Sequence, residues 1–324
     1  MKIIITGGAG FIGSNLTEFL LSQRHEIILI DDLSSGKLAN IISFIDRITF
    51  INKKLELVDL NLYKEVDAVI HLAAQVSVPR SISHFKQSSK INLLCSISVI
   101  DFCSINKIPL IYASSSALYG NLGFGDDQIT KVDLLSPYAV DKYALELYCK
   151  TAYKLHKLSS VGLRFFNVYG PKQDPSSPYS GVISIFIDRL LNNKLINING
   201  GHQTRDFIYV ADVVNSINNS LMTSLDNVIC EQVNVLTGNS ISIDTLLDTL
   251  MRLIDCDVER IYKEMSVGDP IKSSGTTIKM ENLLKISLSS QTNLDDGLQK
   301  TISYIQSTIG GRGKSAKKSK GFKG

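Results

Sequence analysis

A chain of 324 residues with 44% hydrophobic and 20% charged residues is long enough to bury one large α/β core or two lobes. No uninterrupted apolar run is long enough to span a bilayer, and the N-terminus enters a strand with no leader pattern, so the expected location is the cytoplasm. The formal charge of +3 comes from the last fifteen residues, where Arg312, Lys314, Lys317, Lys318, Lys320 and Lys323 add six cations and no acid. Without them the body holds 28 basic against 31 acidic residues, which excludes a nucleic-acid surface on that body by charge.

The five cysteines, an odd number with no CxxC, read as free thiols of a reducing compartment. The five histidines show no metal-ligand spacing, so no metal is expected.

In chain order, Lys2 to Thr6 is a short apolar strand. Gly7-Gly8-Ala9-Gly10-Phe11-Ile12-Gly13 follows and opens an amphipathic helix to about Ser22. Glycines at 7, 10 and 13 let the backbone turn tightly and approach a pyrophosphate, and the helix N-terminus aims free N–H groups at the anion. Ile27 to Ile30 is the next strand and ends in Asp31-Asp32. Asp31 lies 18 residues after Gly13, where a carboxylate accepts both ribose hydroxyls of an adenosine and repels a 2′-phosphate. The expected cofactor is NAD.

These two segments, TGGAGFIGSNL and IDDLSSG with its Ser35 and Gly36, resemble the extended short-chain dehydrogenase/reductase family, in particular its nucleotide-sugar epimerases and dehydratases. The fold class expected is α/β, a Rossmann-like doubly wound parallel sheet with a smaller, mostly C-terminal α/β substrate lobe. The NAD-binding part is placed at 1–170 with a return segment at about 206–237, and the substrate lobe at 171–205 and 238–309. The Gly/Lys/Ser-rich segment 310–324 reads as a disordered basic tail.

After the third strand the resemblance puts Lys54-Leu55 where the family has an Asp-hydrophobic pair, and implies that Leu55 packs on the adenine. Asp67 to Leu72 is a buried strand. It leads into Leu72-Ala73-Ala74, which the resemblance places beside the cofactor, with His71 structural. Ser77 begins a segment that the resemblance sets against nicotinamide and sugar. Phe85 to Asn106 is a long helix whose Asn92 corresponds to a family Asn near the catalytic lysine.

Pro109 to Ala113 is a central strand ending in Ser114-Ser115-Ser116, and ligands sit at the carboxyl ends of parallel strands. Tyr138 and Lys142 lie one turn apart on a helix opened by Ser136-Pro137, as N-cap and first residue. A Tyr base, a Lys to tune it and a Ser to hold the hydroxyl being oxidised make an oxidoreductase site. The lysine ammonium and a cationic nicotinamide are expected to lower the phenol pKa. The resemblance assigns Ser115 the catalytic position and Ser116 a second hydroxyl. It also excludes a 4,6-dehydratase, whose Asp-Glu pair for elimination is absent here.

Val161 to Phe166 is a further strand running into Asn167, which the resemblance places on a substrate diphosphate. Beyond Pro171 comes a polar loop, Gln173 to Ser180, then a helix from Val182 to Leu191 and a strand from Ile196 to Ile198. Arg205 has the fork that suits phosphate oxygens, and the resemblance gives it the diphosphate of a UDP-sugar. Asp269 matches the family's contact to the uridine ribose. Ser266 and Ile271 stand where the family carries arginines, with Lys263 and Lys272 nearby. Ser273 matches the position that gates the sugar, and its small size leaves room for a 2-acetamido group.

The implied activity is NAD-dependent C4 epimerisation of a UDP-hexose. UDP-N-acetylglucosamine and UDP-N-acetylgalactosamine are the expected pair, in polysaccharide precursor synthesis by a homodimer. The alternatives are a UDP-glucuronate 4-epimerase or decarboxylase, and a non-catalytic dinucleotide-binding scaffold.

Overall fold

The computed structural model describes residues 1–176, 181–265 and 269–318, with side chains through 308. Ser266, Gly268 and the end of the polar loop at 177–180 lie outside the described residues. The first half alternates strand and helix: β1 Lys2–Thr6, α1 Phe11–Ser22, β2 Glu26–Ile30, β3 Thr49–Ile51, β4 Ala68–His71, then α2 Val78–Ser83, α3 Phe85–Ser89 and α4 Cys95–Asn106, β5 Leu110–Ser115, α5 Pro137–His156 and β6 Ser160–Phe165. The second half runs β7 Asn167–Tyr169, α6 Val182–Leu191, β8 Ile196–Asn199, β9 Thr204–Tyr209, α7 Val210–Asp226, β10 Cys230–Val235, β11 Ser240–Ser242, α8 Ile243–Ile254, β12 Arg260–Lys263, α9 Ile278–Leu284 and α10 Leu294–Lys318.

Seven strands form one sheet in the order β10-β6-β5-β4-β1-β2-β3, and every neighbouring pair is parallel. Parallel strands need helical crossovers, which cover both faces, so the strands are apolar almost throughout. Ile3 and Ile5 pack into one layer with Leu29, Ile70 and Val213, and Ile4 packs into the opposite layer with Ile28, Val69 and Leu145. Strand order reverses between β1 and β4, so a crevice opens at their carboxyl ends. β10 is the far edge strand of this sheet, and it comes from the segment expected to return to the first lobe.

A second core gathers Ile183, Phe186 and Ile187 of α6, Leu246 and Leu250 of α8, and Leu298 and Ile302 of α10. It lies against two small sheets, β11-β9-β7 and β12-β8.

Phe85–Asn106 is one continuous helical stretch, interrupted in hydrogen bonding by a π turn at Lys90–Leu94. By length and composition it would pass for a membrane span, although no apolar run of that length was read from the sequence. Here Val99, Ile100, Phe102 and Cys103 pack into the helical layer of the sheet.

The described backbone of α10 runs through Lys318.

One polar network crosses the core. Glu146 of α5 accepts from Ser114 Oγ at 2.7 Å and from Arg164 Nε at 2.9 Å and Nη2 at 2.7 Å. Arg164 Nη1 also donates to the Tyr119 hydroxyl, which donates to Asn234 Oδ1. Arg164 and Glu146 are 2% and 0% exposed, so removing one partner strands a buried charge. Arg164→Met should therefore lower stability by about 3–5 kcal/mol in urea unfolding, and a loss below about 1 kcal/mol would show that the pair is not needed.

Candidate active site

The crevice is floored by the glycine turn. Gly7 has φ 72°, and a Cβ there would lie 2.7 Å from the Ala73 nitrogen, so only glycine lets the turn rest on the 72–73 backbone. A Cβ on Gly13 would sit 2.3 Å from the Gly7 oxygen. Gly10 caps α1 without a side-chain hydrogen bond, which leaves the helix N–H groups available to an anion. Asp31 accepts from Ala9 N at 2.9 Å and Leu33 N at 2.8 Å, and burial pushes its pKa up. It braces the turn while still lining the cavity.

That cavity has a volume of about 740 Å³. It brings together Gly7, Gly10, Phe11, Ile12, Gly13, Asp31, Asp32, Ser35, Leu55, Leu72, Ala73 and Ala74 with Ser115, Tyr138, Lys142 and Asn167. A buried carboxylate, bare helix N–H donors and an elongated lining that reaches the Tyr–Lys pair all fit NAD.

Ser136 Oγ accepts from Ala139 N and Pro137 is the first helical residue, so the predicted cap starts α5 and sets the rotation of Tyr138. Ser81 Oγ accepts from Tyr138 N at 3.2 Å. Lys142 donates to the Ala113 carbonyl at 2.7 Å, and its Nζ lies 5.9 Å from the Tyr138 ring centre. Burial lowers the Lys142 pKa to about 8, with Asp141 and Glu146 pulling it back up. In the protein alone, burial pushes the Tyr138 pKa up, and the hydrogen bond with Ser115 pulls it down. Desolvation of a phenolate outweighs what the protein alone offers it.

His71 is buried between Thr6 Oγ1 at 2.7 Å and Ser96 Oγ at 2.8 Å, and burial lowers its pKa to about 3, as suits a structural imidazole. Asn92 ties down the loop after β4: its Oδ1 accepts from Gln75 N at 2.7 Å and its Nδ2 donates to Gln75 O.

The remaining expected contacts lie off the cavity lining. Gly36 packs on Ala9 and Asp31. Ser77 caps α2 by accepting from Arg80 N, and Ser116 opens the turn after β5. Arg205 is ion-paired with Asp269, so two expected substrate contacts hold each other. Ser273 N donates to Thr204 O at 3.1 Å, which sets this small side chain next to the Arg205 strand. Asn167 Nδ2 donates to the Asp206 carbonyl at 3.1 Å.

The model of the NAD dependent epimerase/dehydratase family matches residues 3–234. The chain belongs to that family. It is 34% identical over 94% of its length to a putative UDP-glucose 4-epimerase of Methanocaldococcus jannaschii, covering 98% of that protein. Among solved structures it is similar to the UDP-N-acetylglucosamine 4-epimerase of Methanobrevibacter ruminantium in complex with UDP-N-acetylmuramic acid. That structure has TM-score 0.87 and 31% identity, over 95% of this chain and 98% of the other. The UDP-glucuronic acid 4-epimerase of Bacillus cereus in complex with UDP-glucuronic acid and NAD has the same TM-score at 30% identity, over 95% and 100%.

In this epimerase/dehydratase family member, sequence reasoning missed Lys37, Gln173 and Asp174, which line the cavity from two separate loops. The polar run Gln173-Asp174-Pro175 was the available signal. Such a run reads as a polar loop, because nothing local indicates that it folds back over the glycine turn.

The buried lysine gives a signed pH dependence. Lys142 titrates near 8 when folded and at 10.5 when free. Between those values the unfolded chain holds a proton that the folded chain has released, so stability rises with pH across that window. The full gain is about 3 kcal/mol. In urea unfolding at about pH 7.5 and about pH 10, wild type should gain on Lys142→Met at the higher pH, and an unchanged gap would show that the lysine is not desolvated.

Proposed function

We propose that this protein is a UDP-sugar 4-epimerase that interconverts UDP-N-acetylglucosamine and UDP-N-acetylgalactosamine as precursors of polysaccharide. The observation that carries the reading is the meeting of Ser115, Tyr138 and Lys142 in one cavity with the glycine turn. Tyr138 takes the proton of the C4 hydroxyl while Ser115 holds that oxygen. Lys142, anchored on Ala113, presents its charge to the phenolate. NAD, held by the glycine turn and Asp31, would supply the hydride acceptor that the side chains lack. Asn167 and Arg205 hold the diphosphate, Arg205 exchanging Asp269 for phosphate oxygens, and Asp269 turns to the ribose. A grip confined to the diphosphate leaves the keto sugar free to rotate and present its other face.

The small Ser273, pinned beside the Arg205 strand, supports a substrate with a 2-acetamido group. The two-lobe division fits this chemistry, the first lobe holding the cofactor and residues 171–205 and 238–309 the nucleotide sugar. Relatives that are named 4-epimerases support the reaction class.

A homodimer is supported by exposed apolar side chains at helical spacing on α5 (Val140, Leu147 and Leu155) and by exposed Leu94 and Ile105 on the helical stretch packed against it. A monomer in sedimentation at micromolar concentration would contradict it.

Proton NMR of purified protein with UDP-N-acetylglucosamine and no added cofactor should show the galacto epimer accumulating. Tyr138→Phe should lower the rate at least about 10³-fold while keeping NAD bound. Turnover of UDP-glucuronate with none of the acetamido sugar would sink the substrate assignment, and an active Tyr138→Phe would sink the base.

A further inference from the structure

We infer that Lys37 and Asp174 form an ionic clasp across the dinucleotide cavity that sets how long the cofactor stays bound. The inference rests on the reading of that cavity as the NAD site.

The two residues are 137 positions apart and come from opposite sides of the crevice. Lys37 sits at the end of the loop after β2, and its backbone N–H donates to the Ala9 carbonyl at 3.0 Å, which ties it to the glycine turn. Asp174 sits on the loop after β7. Both line the cavity, and their side chains are ion-paired through Asp174 Oδ2. The other carboxylate oxygen accepts from Ser176 N at 3.1 Å and Ser176 Oγ at 2.8 Å, so the aspartate is held by its own turn.

The loop behind it is fastened to the cofactor helix. Asn15 Nδ2 donates to the Pro171 carbonyl at 3.1 Å, and Lys172 donates to Glu18 at 2.8 Å. Lys172 also lies 5.4 Å from the centre of the Phe44 ring. Segment 171–174 thus bridges from β7 to α1 and to the loop after β2, and Lys37–Asp174 is one more fastening.

The pair is 41% and 22% exposed, so it adds little to fold stability. Its position gives it another effect. A dinucleotide leaving this cavity has to part the two loops, and parting them separates two charges. The reaction makes such a restraint useful, because a keto sugar left without its cofactor cannot be returned to product. A solvent-accessible pair is screened by salt, so the restraint carries an ionic-strength signature that loop packing alone lacks.

The test uses purified full-length protein as isolated with NAD. Release into excess buffer is followed by assaying NAD in the filtrate at about 0.05 M and about 0.5 M sodium chloride. Wild type should release NAD faster at high salt. Lys37→Met and Asp174→Asn, the latter keeping an acceptor for Ser176, should release it about two- to fivefold faster at low salt, with little further change at high salt. The charge-swapped double variant Lys37→Asp, Asp174→Lys should restore slow, salt-sensitive release. Equal rates for wild type and single variants at both salts overturn the clasp. Wild-type protein that neither carries NAD nor takes it up overturns the underlying cofactor reading, and the clasp with it.

Discussion

Glu146 has no solvent exposure, and its two oxygens take hydrogen bonds from Ser114 on β5 and twice from Arg164 on β6. This carboxylate lies one turn beyond Lys142 and two beyond Tyr138, on the face of α5 that meets the sheet. The residue it grips on β5 directly precedes Ser115. One buried ion pair thus fixes the helix that carries Tyr138 and Lys142 against the strand that carries Ser115. Arg164 extends the same bond set through Tyr119 to Asn234. Asn234 in turn donates to the carbonyls of Gly125 and Thr276, segments joined by the Gly125–Gly275 bridge. The reaction centre and the edge of the second lobe therefore share one network.

Burial is what gives the site its chemistry. It makes a lysine titrate near 8 and drives a phenol the other way. A tyrosine so placed is a poor base in isolation. Positive charge entering the cavity beside it would favour the phenolate, because a charge acts more strongly in a dry site than in water.

Features that rest on local rules could be read from the chain. The glycine spacing required the strand–turn–helix at Gly7 to Gly13, Ser136-Pro137 announced the start of α5, and the apolar period gave Val182–Leu191 as it stands. Features that rest on distant pairs could not. Nothing near Arg205 shows that Asp269 will neutralise it, and nothing near Lys37 points to Asp174. Ser77 has the same ambiguity on a smaller scale, since a serine before Val-Pro is as good a helix cap as a ligand. The upward push of burial on Tyr138 is likewise a property of the packed site, and YxxxK spacing says nothing about it.

The central claim is that hydride leaves and returns within one closed site, with Tyr138 moving the accompanying proton. The most direct measurement uses a UDP-sugar substrate deuterated at C4, converted by the protein in the presence of excess unlabelled free NAD, with the epimer read by NMR. Full retention of deuterium at C4 of the product, with none in the free cofactor pool, is the predicted result. Deuterium lost to solvent or found in free NADH would contradict the account.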